Sequence, residues 1–222
     1  MPGAAIFDVD GTLTDTNHLH VVAWWEAFRQ AGHTVQMTDI HRAIGLSSAD
    51  LIERLLGSHR DREQDSAISS AHTVLYGTYF DRLPAFAGAG DLLRTLAERG
   101  WRIVLATSAS GSELSALRRA IDADEAIWNT ASSDDVEEGK PSPEPVRLAC
   151  ELAGVPAENA VFVGDSVWDM EAATRAGVRA VALLSGGIPR AALERAGAEM
   201  VYQDAAELLS RLDESPFEPT PA

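Results

Sequence analysis

Residues 4–16 read AAIFDVDGTLTDT, and this stretch decides the fold that the sequence predicts. The apolar run 4–7 has the length and composition of a buried strand. Asp8 and Asp10 follow it, and their side chains point the same way if the strand continues, because strand side chains alternate between faces. Gly11 then permits a sharp turn or a close approach of the backbone to a ligand. In an open α/β sheet, two carboxylates at the carboxyl end of a strand lie where ligands bind and where a hard cation can be held.

The overall composition excludes several classes of protein. The chain has 222 residues and a formal charge of -16, which opposes binding to nucleic acid phosphates. It has no apolar run of about 18 residues and no basic N-terminal region followed by a long apolar stretch, so we predict neither a membrane span nor a signal peptide, and we expect a cytoplasmic protein. The single cysteine, Cys150, excludes an intramolecular disulfide and lies in an apolar pattern that favours core packing.

After the first strand, the pattern is helical for about 70 residues without a convincing strand. The spacing of apolar residues predicts a helix at 17–31, a second that follows Ser47 or Ser48 as N-cap and runs through Leu56, and a third at 61–82, with Gly32 and Gly57 as stops after the first two. Residues 83–88, which read LPAFAG, have the composition of a linker that returns the chain.

Beyond this linker, helix and strand alternate along the chain. Strands are predicted at 102–106, 127–130, 160–163 and 178–183, and helices at 91–99, 112–120, 143–153, 170–176, 191–196 and 207–212. Alternation of this kind implies parallel strands with right-handed crossovers, hence a doubly wound α/β sheet. We therefore predict an α/β core formed by residues 1–14 and 86–212, an all-helical cap inserted at 15–85, and a disordered tail at 213–222.

Three further stretches carry chemistry at or near predicted strand ends. Thr107 and Ser108 end the second strand, where their hydroxyls can bind a phosphate oxygen or cap the next helix. Lys140 lies between a glycine and two prolines, which would fix the direction of its ammonium group; an ordinary surface lysine is the alternative. Residue 134 is aspartate and residue 141 is proline, so this is no nucleotide-binding P-loop.

The last of these stretches, Gly164-Asp165-Ser166, follows the predicted strand 160–163. Asp165 can complete an oxygen shell for Mg²⁺ together with the carboxylates of the first strand. Asp169 lies four residues further on and can orient Lys140 or a metal-bound water. Taken alone, the stretch could also be an ordinary strand-to-helix turn with a capping aspartate.

Together, in this order, the four stretches resemble the four signatures of the haloacid-dehalogenase-like (HAD) phosphohydrolase superfamily, and the helical insertion is similar to that superfamily's C1-type cap. The resemblance implies an enzyme with Mg²⁺ as cofactor, a small phosphorylated metabolite as substrate, and no nucleic acid or membrane partner, present as a monomer or dimer. It implies that Asp8 is the nucleophile and a metal ligand, that Asp10 is the general acid/base and a metal ligand through its backbone carbonyl, and that Asp165 is a metal ligand. The residues that it implies for binding phosphate or substrate are Gly11, Thr107, Ser108, Lys140 and His20. Of these, Thr107 and Lys140 are also implied to be catalytic, and Asp169 is implied to be a supporting residue.

Two branches of the superfamily fit best, the phosphoglycolate-phosphatase-like and the β-phosphoglucomutase-like enzymes. The segment 14–16 with His20 and Trp24 matches the mutases. A mutase must hold a second phosphate, and the segments 108–111 and 45–48 lack the lysine and arginine that would bind it there. We therefore favour hydrolysis of a phosphomonoester through an aspartyl-phosphate, with a sugar-phosphate mutase as the alternative.

Other reactions of an activated aspartate fit less well. Haloacid dehalogenation needs no acid at position 10, so Asp10 argues against it, and receiver domains are much shorter and carry their phosphorylated aspartate on a later strand. The acid/base role of Asp10 favours a raised pKa.

Overall fold

The computed structural model describes residues 3–217. Its centre is a parallel sheet of six strands in the order β3-β2-β1-β4-β5-β6. The strands are β1 (Ala4–Phe7), β2 (Arg102–Ala106), β3 (Ile127–Ala131), β4 (Ala160–Gly164), β5 (Arg179–Leu183) and β6 (Met200–Tyr202). The first strand lies at the centre of the sheet, between β2 and β4, so the carboxyl ends of these three strands meet at one edge. The predicted doubly wound α/β core is confirmed.

Helices cover both faces of the sheet, which explains why its strands are almost continuously apolar. The helices are α1 (Asn17–Gln30), α2 (Met37–Ala43), α3 (Ser48–Leu56), α4 (Asp65–Gly77), α5 (Ala89–Glu98), α6 (Gly111–Ile121), α7 (Glu144–Ala153), α8 (Val167–Ala176), α9 (Arg190–Ala196) and α10 (Ala205–Ser210). Ala5 and Phe7 pack with α5, α6 and α10 on one face, whereas Ala4 and Ile6 pack with α7, α8 and α9 on the other. In residues 3–217, no helix has both the length and the apolar character needed to cross a membrane.

The four helices of the insertion, α1–α4, pack around a core of their own. Trp24 and Phe28 of α1, Ile40 of α2, and Leu51 and Ile52 of α3 are buried in this cluster. The sequence analysis missed α2, because only two of its seven residues are buried and no side chain caps it. The prediction of one helix over 61–82 is also wrong at both ends. The α-helix α4 is shorter, and short 3₁₀ turns lie before and after it.

The two segments that connect this helical insertion to the sheet run side by side in opposite directions. The backbone N–H of Asp15 donates to the carbonyl of Pro84 at 2.9 Å, and that of Phe86 donates to the carbonyl of Leu13 at 2.9 Å. Both crossings therefore lie at one place, close to the carboxyl end of β1.

The C-terminal segment corrects one prediction. Disorder from residue 213 onward is wrong for 213–217, because Phe217 is fully buried and its ring meets the edge of Trp101 at a centroid distance of 5.1 Å. Ser215 holds the turn, donating to the Leu212 carbonyl at 2.6 Å. A single aromatic side chain anchors a segment whose composition otherwise favours disorder. The remainder of the predicted tail, 218–222, lies outside the described residues.

Candidate active site

The carboxyl ends of β1, β2 and β4 bring the predicted residues together. Asp8 and Asp10 follow β1, Thr107 follows β2, and Asp165 follows β4, while Lys140 reaches in from the loop before α7. All of these side chains except Asp10, which is partly exposed, are buried. Residues separated by more than 150 positions in sequence thus share one site, because the parallel topology places these strand ends at the same edge.

Lys140 lies between two carboxylates. Its ammonium group pairs with Asp8 and with Asp169, the latter at 2.8 Å, and its side chain is 2% exposed. Burial by itself would lower the pKa of Lys140, but the two carboxylates outweigh burial and hold that pKa well above its ordinary value. The lysine is therefore a fixed positive charge directed at Asp8.

Asp169 is itself held by the start of α8. Its Oδ2 accepts hydrogen bonds from the backbone N–H of Ser166 at 3.0 Å and from the Ser166 hydroxyl at 2.6 Å, while Ser166 Oγ accepts from the N–H of Asp169. This reciprocal capping box leaves Oδ1 of Asp169 to face Lys140. The capping role and the contact with Lys140, which the sequence left as alternatives, occur together.

Asp165 is oriented by two residues that the sequence analysis did not assign. Its carboxylate accepts hydrogen bonds from the Thr12 hydroxyl at 3.0 Å and from the side-chain amide of Asn17 at 2.9 Å. Gly11 has a φ of +79°, and a Cβ at Gly11 or at Gly186 would overlap this carboxylate. Both glycines are therefore required by the close approach of the backbone to Asp165.

The buried carboxylates form a set of oxygen donors. Asp8, Asp165 and Asp169 each offer a carboxylate oxygen within 4.8 Å of the others. Burial, together with repulsion between neighbouring carboxylates, raises the pKa of Asp8 to about 7 and that of Asp165 well above its ordinary range. Both oxygens of Asp169 are engaged, one by Lys140 and the other by Ser166, whereas Lys140 pairs with only one oxygen of Asp8. The donors that fit a divalent cation are therefore Asp8 and Asp165, and a cation would relieve the repulsion between them.

Asp10 turns its side chain away from this set. Its Oδ1 accepts a hydrogen bond from the Thr16 hydroxyl at 2.5 Å and lies 3.2 Å from Nε2 of His20. Burial would raise the pKa of Asp10, but the charge of His20 and the hydrogen bonds from His20 and Thr16 outweigh burial, and that pKa is lowered. The expectation of a raised pKa is therefore wrong for this structure.

Asp10 and His20 shift each other's pKa in opposite directions. Burial would lower the pKa of His20, but the neighbouring Asp10 carboxylate raises it. The other ring nitrogen of His20 lies 3.1 Å from Nε2 of His72, whose pKa is lowered to about 2 by burial and by the charge of His20. A neutral His72 can accept a hydrogen bond from His20, and His20 also stacks on Tyr76 at a centroid distance of 3.7 Å. His72 and Tyr76 were missed in the sequence because α4 carries no signal that links it to Asp10.

A pocket of about 330 Å³ opens above these groups, between the helical insertion and the sheet. Its floor is formed by Asp8, Asp10 and Lys140, and Ser108 and Glu113 lie in its wall. Apolar side chains of the insertion cover it: Trp24, Ile44, Leu46 and Leu51. The insertion also contacts the core beside the pocket, since Nε2 of His41 lies 2.9 Å from the Gly186 carbonyl and the Trp168 indole donates to the Arg42 carbonyl at 3.2 Å.

Comparison with known proteins identifies the family. A family model described as haloacid dehalogenase-like hydrolase matches residues 2–177. The chain belongs to this hydrolase family. The prediction that it is an enzyme of this superfamily is thereby confirmed.

The hydrolase is similar to relatives over nearly its whole length. It is 28% identical to a phosphoglycolate phosphatase from Rhodospirillum rubrum, covering 94% of this chain and 90% of the relative. It is 32% identical to protein CbbY from Cereibacter sphaeroides, covering 92% and 93% of the two chains. The crystal structure of a hydrolase from Pseudomonas syringae is similar with a TM-score of 0.91 at 37% identity, covering 96% of this chain and 98% of that one.

The hydrolase thus brings nearly all of the predicted residues to one pocket. Asp8, Asp10, His20, Thr107, Ser108 and Lys140 line it, while Gly11, Asp165 and Asp169 lie immediately beneath. The sequence analysis missed Thr12, Asn17, His72, Tyr76, Glu113 and Gly186. Of these, Thr12 lies within the opening stretch and was within reach of a sequence argument, whereas the others come from separate elements.

Proposed function

We propose that the hydrolase is a Mg²⁺-dependent phosphatase that cleaves a small phosphomonoester through an aspartyl-phosphate on Asp8. The observation that carries this proposal is the buried Lys140 ammonium, held against Asp8 by Asp169 at 2.8 Å. A carboxylate nucleophile and a phosphate dianion repel each other, so a fixed cation beside the nucleophile is what phosphoryl transfer requires.

In the first half-reaction, a carboxylate oxygen of Asp8 attacks phosphorus while the bond from phosphorus to the substrate oxygen breaks. Lys140 offsets the charge of the phosphoryl oxygens, and the Thr107 hydroxyl, which lines the pocket, can donate a hydrogen bond to them. The leaving oxygen takes a proton from the pair formed by Asp10 and His20, in which the proton is stored on His20, 3.2 Å from Asp10.

In the second half-reaction, water attacks the phosphoryl group on Asp8. Asp10 now accepts a proton from that water, the bond between phosphorus and Asp8 breaks, and inorganic phosphate and the free carboxylate result. The hydrogen bond from Thr16 to Asp10 at 2.5 Å fixes the carboxylate that performs both proton transfers.

The metal would be held by Asp8 and Asp165, with the backbone carbonyl of Asp10 as the third protein ligand that the family resemblance implies. When bound, Mg²⁺ supplies positive charge that neutralises the phosphate. Thr12 and Asn17 orient Asp165 for this role through hydrogen bonds of 3.0 and 2.9 Å.

We further propose that residues 15–85 act as a cap that opens and closes over the pocket. The paired crossings at Asp15 and Phe86 lie at one place and can serve as a two-stranded hinge. Closure would bring Trp24 and Leu46 over the phosphate and limit the access of water to the intermediate.

The mutase alternative is less well supported by the pocket. A mutase must hold a second phosphate, and Lys140 is the only lysine or arginine among the described residues that line the pocket. Since Lys140 is already paired with Asp8, hydrolysis is the better supported reaction.

A phosphate-release assay with a panel of phosphorylated metabolites tests the proposal. The wild type is expected to release phosphate with Mg²⁺ and not in excess chelator, and Asp8→Asn should release none even with Mg²⁺. Wild-type turnover that is unaffected by chelator would refute the metal assignment, and full turnover by Asp8→Asn would refute the nucleophile.

A further inference from the structure

The wall of the pocket carries a carboxylate that the proposed mechanism does not use. Glu113 is the third residue of α6, its side chain is 23% exposed, and it lines the pocket beyond Asp10 and His20. Its nearest charged partner is Nε2 of His20 at 3.8 Å, which is too long for a hydrogen bond. No group in residues 3–217 donates a hydrogen bond to Glu113, so the acceptor oxygens of this largely buried carboxylate remain available to a ligand.

Apart from Lys140, which pairs with Asp8, and His20, which pairs with Asp10, the charged side chains that line the pocket are carboxylates. Glu137 also lines the pocket but is exposed, whereas Glu113 lies in the wall of the space left for the part of a substrate beyond its phosphate. Among the described residues, no arginine lines this space, and Lys140 forms an ion pair with Asp8. A second phosphate or a carboxylate placed there would meet like charge, since Lys140 and His20 are already paired with Asp8 and Asp10, and this repulsion costs several-fold to many-fold in affinity.

We propose that Glu113 is a specificity residue that accepts a hydrogen bond from a hydroxyl or ammonium group of the substrate's alcohol part and repels a second anion. The substrate is then a phosphomonoester whose phosphate is its only anionic group. This inference rests on the proposed phosphatase function. It separates the hydrolase from its phosphoglycolate phosphatase relatives, because the name of their substrate implies a carboxylate in addition to the phosphate.

Three compounds with the same two-carbon skeleton test the proposal. 2-Phosphoglycolate ends in a carboxylate, 2-hydroxyethyl phosphate in a hydroxyl, and phosphoethanolamine in an ammonium group. p-Nitrophenyl phosphate reports the phosphatase chemistry separately. All are assayed with Mg²⁺ at about pH 8.5, above the pKa of Glu113, which burial raises to about 7. A compound that is not turned over is measured as a competitive inhibitor of the aryl phosphate.

For the wild type, we expect the hydroxyl or the ammonium compound to have a kcat/KM at least about tenfold higher than that of 2-phosphoglycolate, or, where a compound is not turned over, an inhibition constant at least about tenfold lower. Glu113→Gln, which keeps an acceptor but removes the charge, should reduce this preference by about tenfold. A greater loss for phosphoethanolamine than for 2-hydroxyethyl phosphate would identify the donor as an ammonium group, and a greater loss for 2-hydroxyethyl phosphate would identify it as a hydroxyl. Glu137→Gln removes an exposed carboxylate from the rim and should change the preference less than about threefold.

Three results would overturn the specificity role while leaving the phosphatase chemistry intact: 2-phosphoglycolate as the best of the three compounds, a preference unchanged in Glu113→Gln, or an equal effect of Glu137→Gln. Failure of the proposed function looks different. In that case wild-type protein with Mg²⁺ would release no phosphate from p-nitrophenyl phosphate or from any of the three compounds, and the specificity role would fall with it.

Discussion

Replacement of Asp8 by asparagine should make the metal-free hydrolase more stable at alkaline pH. Asp8 is buried beside Asp165, and its carboxylate is desolvated more than Lys140 compensates. In Asp8→Asn, the amide oxygen can still accept a hydrogen bond from Lys140, and the shape of the site is nearly unchanged. The variant therefore removes a charge without removing the lysine's contact.

The pKa of Asp8 gives the sign and the size of the effect. Folding raises this pKa from the ordinary 3.8 to about 7, so between these values the folded protein binds a proton that the unfolded chain has released. The contribution of Asp8 to the free energy of unfolding is thus fully present below pH 4 and is lost as the pH rises to 7. At about 1.4 kcal/mol per pKa unit, the loss between pH 5 and pH 8 is roughly 3 kcal/mol. The asparagine side chain does not titrate, so the variant avoids this loss.

Urea unfolding in the presence of a chelator, measured at pH 5 and at pH 8, gives the required free energies. The difference between Asp8→Asn and the wild type should shift in favour of the variant by roughly 3 kcal/mol from the lower to the higher pH. Asp81→Asn, at an exposed position, serves as the control and should show a difference that hardly changes with pH. An Asp8→Asn difference that stays constant within about 0.5 kcal/mol would refute the idea that burial destabilises the Asp8 carboxylate.

Three further predictions follow from individual contacts. Gly11→Ala and Gly32→Ala both place alanine at a φ near +80°, and Gly32→Ala should lose about 1–2 kcal/mol in thermal unfolding for this reason alone. Gly11→Ala also crowds Asp165, so it should lose more and should in addition lose stabilisation by Mg²⁺; retained Mg²⁺ stabilisation would contradict the overlap. Folding lowers the pKa of His72 to about 2, so below pH 6.5 only the unfolded chain binds a proton at this residue. The free energy of unfolding of the wild type should therefore fall by about 2 kcal/mol between pH 6.5 and pH 5, a loss that His72→Gln avoids. Parallel curves of unfolding free energy against pH for the two proteins would refute this. Asp10→Asn should slow phosphate release by about 10²–10⁴-fold yet still accumulate phosphoenzyme from an aryl phosphate, whereas Asp8→Asn should form none; mass spectrometry that maps the phosphoryl group to another residue would exclude Asp8 as the nucleophile.

The sequence allowed most of the α/β core to be predicted, because its signals are local. A continuous apolar run bounded by polar turns identifies β1, β2 and β4, and each ends in the residue that carries the chemistry. Prediction failed where the local signal was weak. β6 has only three residues, and its place in the sheet depends on pairing with β5, while Phe217 is buried through a contact with Trp101, more than a hundred residues away.

The candidate site divides in the same way. The identity of Asp8, Asp10, Lys140 and Asp165 could be inferred from sequence, because each stands in a short pattern of defined order. The protonation states could not be inferred, since the pKa of a buried group depends on charges that the fold brings next to it. Asp10 provides the example. Only the tertiary structure places His20 against Asp10, and this contact lowers the pKa of Asp10, which sequence reasoning expected to be raised.

By itself, then, the sequence determined most of the order of strands and helices along the chain, without α2 and β6. It also determined the helical insertion and the residue types at the strand ends, and all of these depend on neighbours within a few positions. The tertiary structure alone decided that Asp169 contacts Lys140, that Thr12 and Asn17 hold Asp165, and that Glu113 faces the pocket with its acceptors unused. The physical reason is that hydrogen bonds and charge interactions act over a few ångströms in space, and only folding brings residues from distant parts of the chain within that range.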